Sequence, residues 1–96
     1  MTDPQKHTIC PIKKTAKLLS DTWTILIIRE LIVSDKRFCE LEKILEGIST
    51  RTLTLKLHKL IDEKLIQKDE TNYSLTSKGK KLKIVFDAMT KYGNSL

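Results

Sequence analysis

The stretch STRTLTLKLHKL, Ser49 to Leu60, carries two periodicities at once. Taken two residues at a time it is a strand, with Leu53, Leu55 and Leu57 on one face and Thr52, Thr54 and Lys56 on the other. Taken at helical spacing, Leu53, Leu57, Leu60 and Ile61 form one stripe. A strand would have to end by His58, whereas the helical stripe runs on through Leu60 and Ile61, and Ser49 is a good N-cap. Helix is therefore the expected state.

Working outward, Gly47 is a natural stop for a preceding helix that carries Phe38, Leu41 and Leu45 at helical spacing after Ser34-Asp35. Earlier still, Asp21 can cap a helix in which Trp23, Ile27 and Leu31 mark one face while Ile25, Leu26 and Ile28 make it apolar nearly all round. Cys10-Pro11 reads as the start of a short first helix, with Ile12, Ala16 and Leu19 repeating behind it. On the other side, Leu65 to Asp69 and Tyr73 to Leu75 flank Glu70-Thr71-Asn72 as a short hairpin, Asn supplying turn geometry. Thr76 then caps a last helix whose Leu82, Val85, Phe86, Met89 and Tyr92 form an apolar stripe up to Gly93. Four helices, a hairpin and a helix make a mainly α fold with a small β-hairpin wing, a winged helix-turn-helix in which the third and fourth helices are the reading pair. No repeat or linker divides the chain, so residues 1–96 are expected to form one domain with an ordered core from about 10 to 92.

Composition narrows the function classes. With 40% hydrophobic residues, three Gly and two Pro, a chain of 96 residues suits a small globular domain rather than a disordered or fibrous one. The longest purely apolar run, Ile25 to Ile28, is too short to cross a bilayer and the start MTDPQKH is too polar for a signal peptide, so a cytoplasmic protein with no membrane partner is expected. Cys10, Cys39, His7 and His58 lack metal-ligand spacing, and no metal or cofactor is expected. Catalysis is disfavoured as well, since no Cys-His or Ser-His-Asp set has a visible third partner and there is no Gly-rich phosphate loop.

Charge points to a polyanion. Lys and Arg outnumber Asp and Glu by 18 to 12, and from Gly47 to Ile61 there is no acidic residue, while Arg51, Lys56, His58 and Lys59 all fall there. If the leucine stripe packs inward, Thr50, Arg51, Thr52, Thr54, Leu55, Lys56 and Lys59 face outward behind the Ser49 cap. Arg51 can donate two hydrogen bonds to a guanine edge, Thr can bond a base or place its methyl against thymine, and Lys can pair with phosphate. Leu55 is either a thymine-methyl contact or an incidental surface residue. The competing reading is a winged-helix protein-interaction module whose basic fourth helix binds an acidic protein partner, which the salt dependence of binding would separate from DNA. Double-stranded RNA fits less well, because a helix cannot read its deep, narrow major groove.

These segments together resemble the HxlR-type family of winged helix-turn-helix transcriptional regulators. The similarity rests on CPI at the start, DTWTILIIREL in the second helix, RFCELEKILEGIST through the turn, LTLKLHKLIDEKLI in the reading helix and YSLTSKGKKL after the hairpin. It implies a sequence-specific DNA-binding regulator that acts as a homodimer on a pseudo-palindromic operator, with first and last helices in the subunit contact. That assigns Ile12, Leu19, Leu82, Val85, Phe86, Met89 and Tyr92 to the interface, although the last stripe could also simply close the chain's own core. Arg37 matches a position that could hold a phosphate, and Lys68, Thr71 and Asn72 would be the wing contacts. Two departures stand out. Relatives usually have Gly where this chain has Lys64, and their wings are commonly several residues longer and often Pro-rich, whereas Lys68 to Asn72 is short and carries two acids against one Lys. Several relatives sense oxidants or electrophiles through a Cys at the place of Cys10, so an oxidant or small-molecule effector is implied. A thiol at a helix start with Lys13, Lys14 and His7 nearby should have its thiolate favoured, and the alternative is an N-cap of ordinary reactivity. Cys39, next to Phe38, is expected to be structural.

Overall fold

The computed structural model describes residues 10–96, so His7 lies outside it. Pro11 opens α1 (Pro11–Leu18), where its missing N–H costs nothing, and the Leu19 N–H closes the helix on the Thr15 carbonyl at 3.0 Å. Asp21 caps α2 (Thr22–Val33), its carboxylate accepting from both the Thr24 amide and the Thr24 hydroxyl at 2.9 Å. This helix forms the floor of the core, with Ile27 and Ile28 fully buried and Leu31 nearly so.

α3 (Phe38–Ile44) and α4 (Thr50–Asp62) are joined by a tight turn in which Gly47 sits at φ +92°, left-handed backbone that suits glycine. Ser49 caps α4 by accepting the Thr52 N–H at 3.0 Å. Leu53, Leu57 and Leu60 are buried, which settles the two periodicities of Ser49 to Leu60 in favour of the helix. Ile61, the fourth member of the stripe, is half-buried at the edge of the same cluster.

The wing pairs β1 (Ile66–Lys68) with β2 (Tyr73–Leu75) in antiparallel register, Ile66 opposite Leu75 and Lys68 opposite Tyr73. β1 is one residue shorter at each end than the expected Leu65 to Asp69, because Leu65 is spent on ending α4 and Asp69 on the turn. The turn is shaped by Asp69 rather than Asn72: its carboxylate accepts the Thr71 and Asn72 N–H groups at 3.1 and 2.9 Å. A third strand-like contact was not legible beforehand. Lys36 exchanges two backbone hydrogen bonds with Tyr73 at 3.1 and 2.7 Å, widening the hairpin. The Lys36 ammonium turns inward to the Glu30 carbonyl at 3.0 Å and to Ser34, satisfying the open end of α2.

The expected last helix is broken in two, α5 (Ser77–Lys80) and α6 (Lys83–Asn94). Lys81 and Leu82 bond back three residues, to Lys78 and Gly79, so the chain tightens and restarts at Lys83. Gly79 is buried against the Leu65 carbonyl so closely that a Cβ there would overlap it. Thr76 does cap, as its position suggested, and its hydroxyl also donates to the Lys64 and Leu65 carbonyls at 2.6 and 3.1 Å.

Those carbonyls belong to the end of α4, which is a paired C-terminal motif: Leu65 N–H reaches the Leu60 carbonyl at 3.0 Å and Lys64 N–H the Ile61 carbonyl at 2.9 Å. The motif puts Lys64 at φ +65°, left-handed geometry that a Gly would take freely. A side chain there costs about 1–2 kcal/mol, partly offset because Gly loses about 0.5–1 kcal/mol more backbone entropy on folding. Lys64→Gly should therefore stabilise the protein by about 1 kcal/mol and raise Tm by about 4 °C, read by thermal unfolding. An unchanged or lower Tm would mean that the strain is relieved elsewhere.

Acid should weaken the fold through Asp21 and Asp69. Burial pushes the Asp21 carboxyl up, but the Thr24 N–H, the Lys56 ammonium and the Thr24 hydroxyl together hold it below its ordinary value. The Asn72 and Thr71 amides likewise lower Asp69. Both groups bind a proton less readily folded than unfolded, so their contribution is complete above about pH 4 and drains as pH falls through the folded values. In a Tm series taken downward from neutral pH, Asp21→Asn should fall less steeply than the parent below about pH 4; parallel curves would place the acid sensitivity in other carboxylates.

Candidate nucleic-acid interface

With the three leucines of α4 turned inward, Arg51, Leu55, His58 and Lys59 are exposed, and Leu55 keeps 56% of its surface in solvent. Among the described residues the side chains of Arg51 and Lys59 make no hydrogen bond or ion pair. They stand ready for an outside partner. The hydroxyls behave otherwise. Thr50 donates to the Glu42 carboxylate at 2.6 Å, Thr54 to the Thr50 carbonyl at 2.8 Å, and Ser49 to Thr52 at 2.9 Å while capping the helix. Ser49, Thr50 and Thr54 thus spend polar capacity on holding the helix, and Thr52 stands half-buried beside Arg51.

Lys56, expected to face outward as a phosphate contact, is half-buried and points back across the fold, its ammonium 3.1 Å from Asp21. Glu42 and Asp21 are the two residues of this region that sequence reasoning missed. Asp21 was legible only as a cap, and nothing in the spacing of Glu42 marks it as the partner of Thr50.

Around the reading helix, Arg37 is exposed immediately before α3, where its N–H is fixed by Glu40 at 2.8 Å. In the wing, Lys68 lies over the Tyr73 ring with its ammonium 5.5 Å from the centroid, a cation–π distance. Thr71 is exposed at the tip and Asn72 half-buried, while Asp69 and Glu70 place two acids beside them.

Away from this face, the residues assigned to a subunit contact divide. Leu82 and Phe86 are buried in this chain's own core, Leu19 and Val85 are half-buried, and Ile12, Met89 and Tyr92 are exposed, Ile12 at 79% and Tyr92 at 69%. Val33 and Ile84, off the recognised stripe, are each 75% exposed, and Val33 lines a groove with Met89. Cys10 is half-buried at the start of α1, where the Lys13 and Ile12 amides lower its thiol against the opposing pull of burial, with the Lys13 charge adding to them. Cys39, expected to be structural, is instead exposed, because α3 turns Leu41 inward and Cys39 away. No helix among the described residues is long and apolar enough to cross a membrane.

A family model described as HxlR-like helix-turn-helix matches residues 18–96. The chain is 39% identical to the HTH-type transcriptional regulator sll1512 of Synechocystis, covering 90% of this chain and 69% of that protein. Among solved structures, quinone-bound YodB of Bacillus subtilis superposes with a TM-score of 0.83 at 31% identity, covering 91% of this chain and all of that one. The redox regulator HypR in its oxidised form superposes with a TM-score of 0.82 at 28% identity, covering 91% and 97%. The reading pair, the hairpin wing and these similarities converge: the chain belongs to the HxlR-like helix-turn-helix family and is a transcriptional regulator of the helix-turn-helix type, not an enzyme.

Proposed function

We propose that this protein is a cytoplasmic, sequence-specific regulator that binds double-stranded DNA as a homodimer on a pseudo-palindromic operator. The observation that carries the reading is the outer face of α4: Arg51 and Lys59, without side-chain partners among the described residues, flank the exposed Leu55 on a helix whose rotation is set by three buried leucines. Arg51 lies in the first turn, where recognition helices meet base edges, and Lys59 two turns on suits the phosphate backbone. Arg37 at the start of α3 adds a second phosphate contact. The wing contributes less, since Lys68 is drawn over Tyr73 and the tip is acidic.

Two apolar surfaces support a homodimer. One is the face of α1 formed by Ile12, Ala16 and Leu19, and the other a groove between α2 and α6 lined by Ile25, Leu26, Ile32, Val33 and Met89. A two-fold pair of reading helices would account for operator symmetry. The test is binding of the reduced protein to fragments of its source genome at several salt concentrations, with Arg51→Ala beside it. Enrichment of sites with two-fold symmetry is expected, with affinity lowered roughly tenfold or more and base preference relaxed in the variant. Weak, unselective retention shared by the variant would defeat the reading and turn attention to an acidic protein partner.

Cys10 is the thiol through which such a regulator would respond. Its thiolate is favoured at the α1 start, and addition of that sulfur to an electrophilic carbon, as on a quinone ring, would place a new group beside the dimer helix. At neutral pH Cys10 should alkylate several times faster than a free model thiol, and its adduct should release operator DNA. A rate no faster than the model thiol would remove Cys10 from this role.

A further inference from the structure

Of the three ion pairs among the described residues, Arg29 with Glu30 joins sequence neighbours and Lys83 with Asp87 lies within one helix, whereas Lys56 and Asp21 are 35 residues apart on different elements. One Asp21 oxygen accepts the Thr24 N–H at 2.9 Å, and the other accepts the Thr24 hydroxyl at 2.9 Å and the Lys56 ammonium at 3.1 Å. Thr24 is buried, so the carboxylate is anchored to the core on one side and to the reading helix on the other. α1 ends at Leu18, so only Leu19 and Ser20 separate the first helix from this joint.

Building on the DNA-binding reading above, we propose that Asp21 and Lys56 are positioning residues: their ion pair sets where the reading helix stands relative to the first helix and so couples the two. Lys56 then serves the operator through Asp21 rather than through a phosphate. Arg51 sits five residues before Lys56 on the same helix, so a small shift at the pair displaces the base-reading end. The first helix, with Cys10 at its start, moves the joint by its short connection to Asp21.

Electrostatics alone makes the opposite forecast for one variant. Asp21→Asn removes a negative charge near the DNA-facing helix, which by field alone should tighten binding. Asn remains a good N-cap, so the fold is kept. Positioning forecasts instead that Asp21→Asn and Lys56→Gln each weaken operator binding by roughly fivefold. The double variant should be no weaker than either single one, Lys56→Arg should restore binding, and the dependence of log affinity on log salt should be unchanged.

The measurement is operator affinity against salt for these four variants, together with amide hydrogen exchange across α4 in the DNA-free protein. Faster exchange in Asp21→Asn and Lys56→Gln, with Lys56→Arg like the parent, is expected. Equal or tighter binding by Asp21→Asn, or a salt slope reduced by about 0.9 in Lys56→Gln alone, would make Lys56 a phosphate contact and overturn the proposal. If the parent protein selects no DNA at all, the regulator reading fails by itself, and the exchange data still decide the coupling: unchanged exchange in Asp21→Asn overturns it.

Discussion

Everything on the working face of this protein follows from which way α4 is rolled. Leu53, Leu57 and Leu60 are fully or almost fully buried, and each contributes about 2 kcal/mol by leaving water. Against that, the hydroxyl and ion-pair contacts of Thr50, Thr54 and Lys56 are exposed or half-exposed and individually worth about 1 kcal/mol or less. The leucines therefore choose the rotation, and no rearrangement of the polar groups could turn Lys59 or Arg51 inward without exposing them. With a helical repeat, burying those three positions leaves Arg51, Leu55 and Lys59 one above another on the opposite side. The outer stripe is the inner stripe's geometric complement.

Rotation is not position, and position is held by polar ties at three places along the helix. Glu42 takes the Thr50 hydroxyl at the beginning, Asp21 takes Lys56 in the middle, and Thr76 with Lys78 takes the Lys64, Leu65 and Glu63 carbonyls at the end. The last of these also fixes the wing, because β1 starts one residue beyond the carbonyls that Thr76 closes. Gly79 is required for the same junction, since only a residue without Cβ lets α5 approach the Leu65 carbonyl. The strain at Lys64 is thus surrounded by contacts that over-determine the turn, which explains how a lysine persists in left-handed geometry.

Much of this was legible from local rules. The caps at Asp21, Ser49 and Thr76, the stop at Gly47 and the leucine stripe all depend on residues within one or two turns of each other, and each appears where the spacing placed it. What escaped was set by distant partners. Lys56 reads as a solvent-facing cation until the fold brings Asp21 to it, and Lys36 reads as loop until Tyr73 supplies a strand. Cys39 and the broken last helix were misjudged for a related reason: which side of α3 faces the core, and how closely α5 must approach Leu65, are properties of packing rather than of spacing. Lys64 is intermediate, since only the family's usual glycine marked the position as left-handed.

The same distinction separates the two ends of the molecule. On the reading helix the core takes Leu53, Leu57 and Leu60 and leaves Leu55 outside among polar groups; elsewhere Ile12 of α1, Val33 of α2 and Ile84 and Tyr92 of α6 remain in solvent after the core is complete. The core itself has no use for them, because Leu82 and Phe86 already close it. In the proposed homodimer, a partner subunit covering this surface would grip α1 by the face opposite its charged side. α1 leads directly to Asp21. In the homodimer proposed above, a change in how the subunits meet would be felt within three residues of the Asp21 carboxylate that bonds Lys56, without needing to pass through the leucine core.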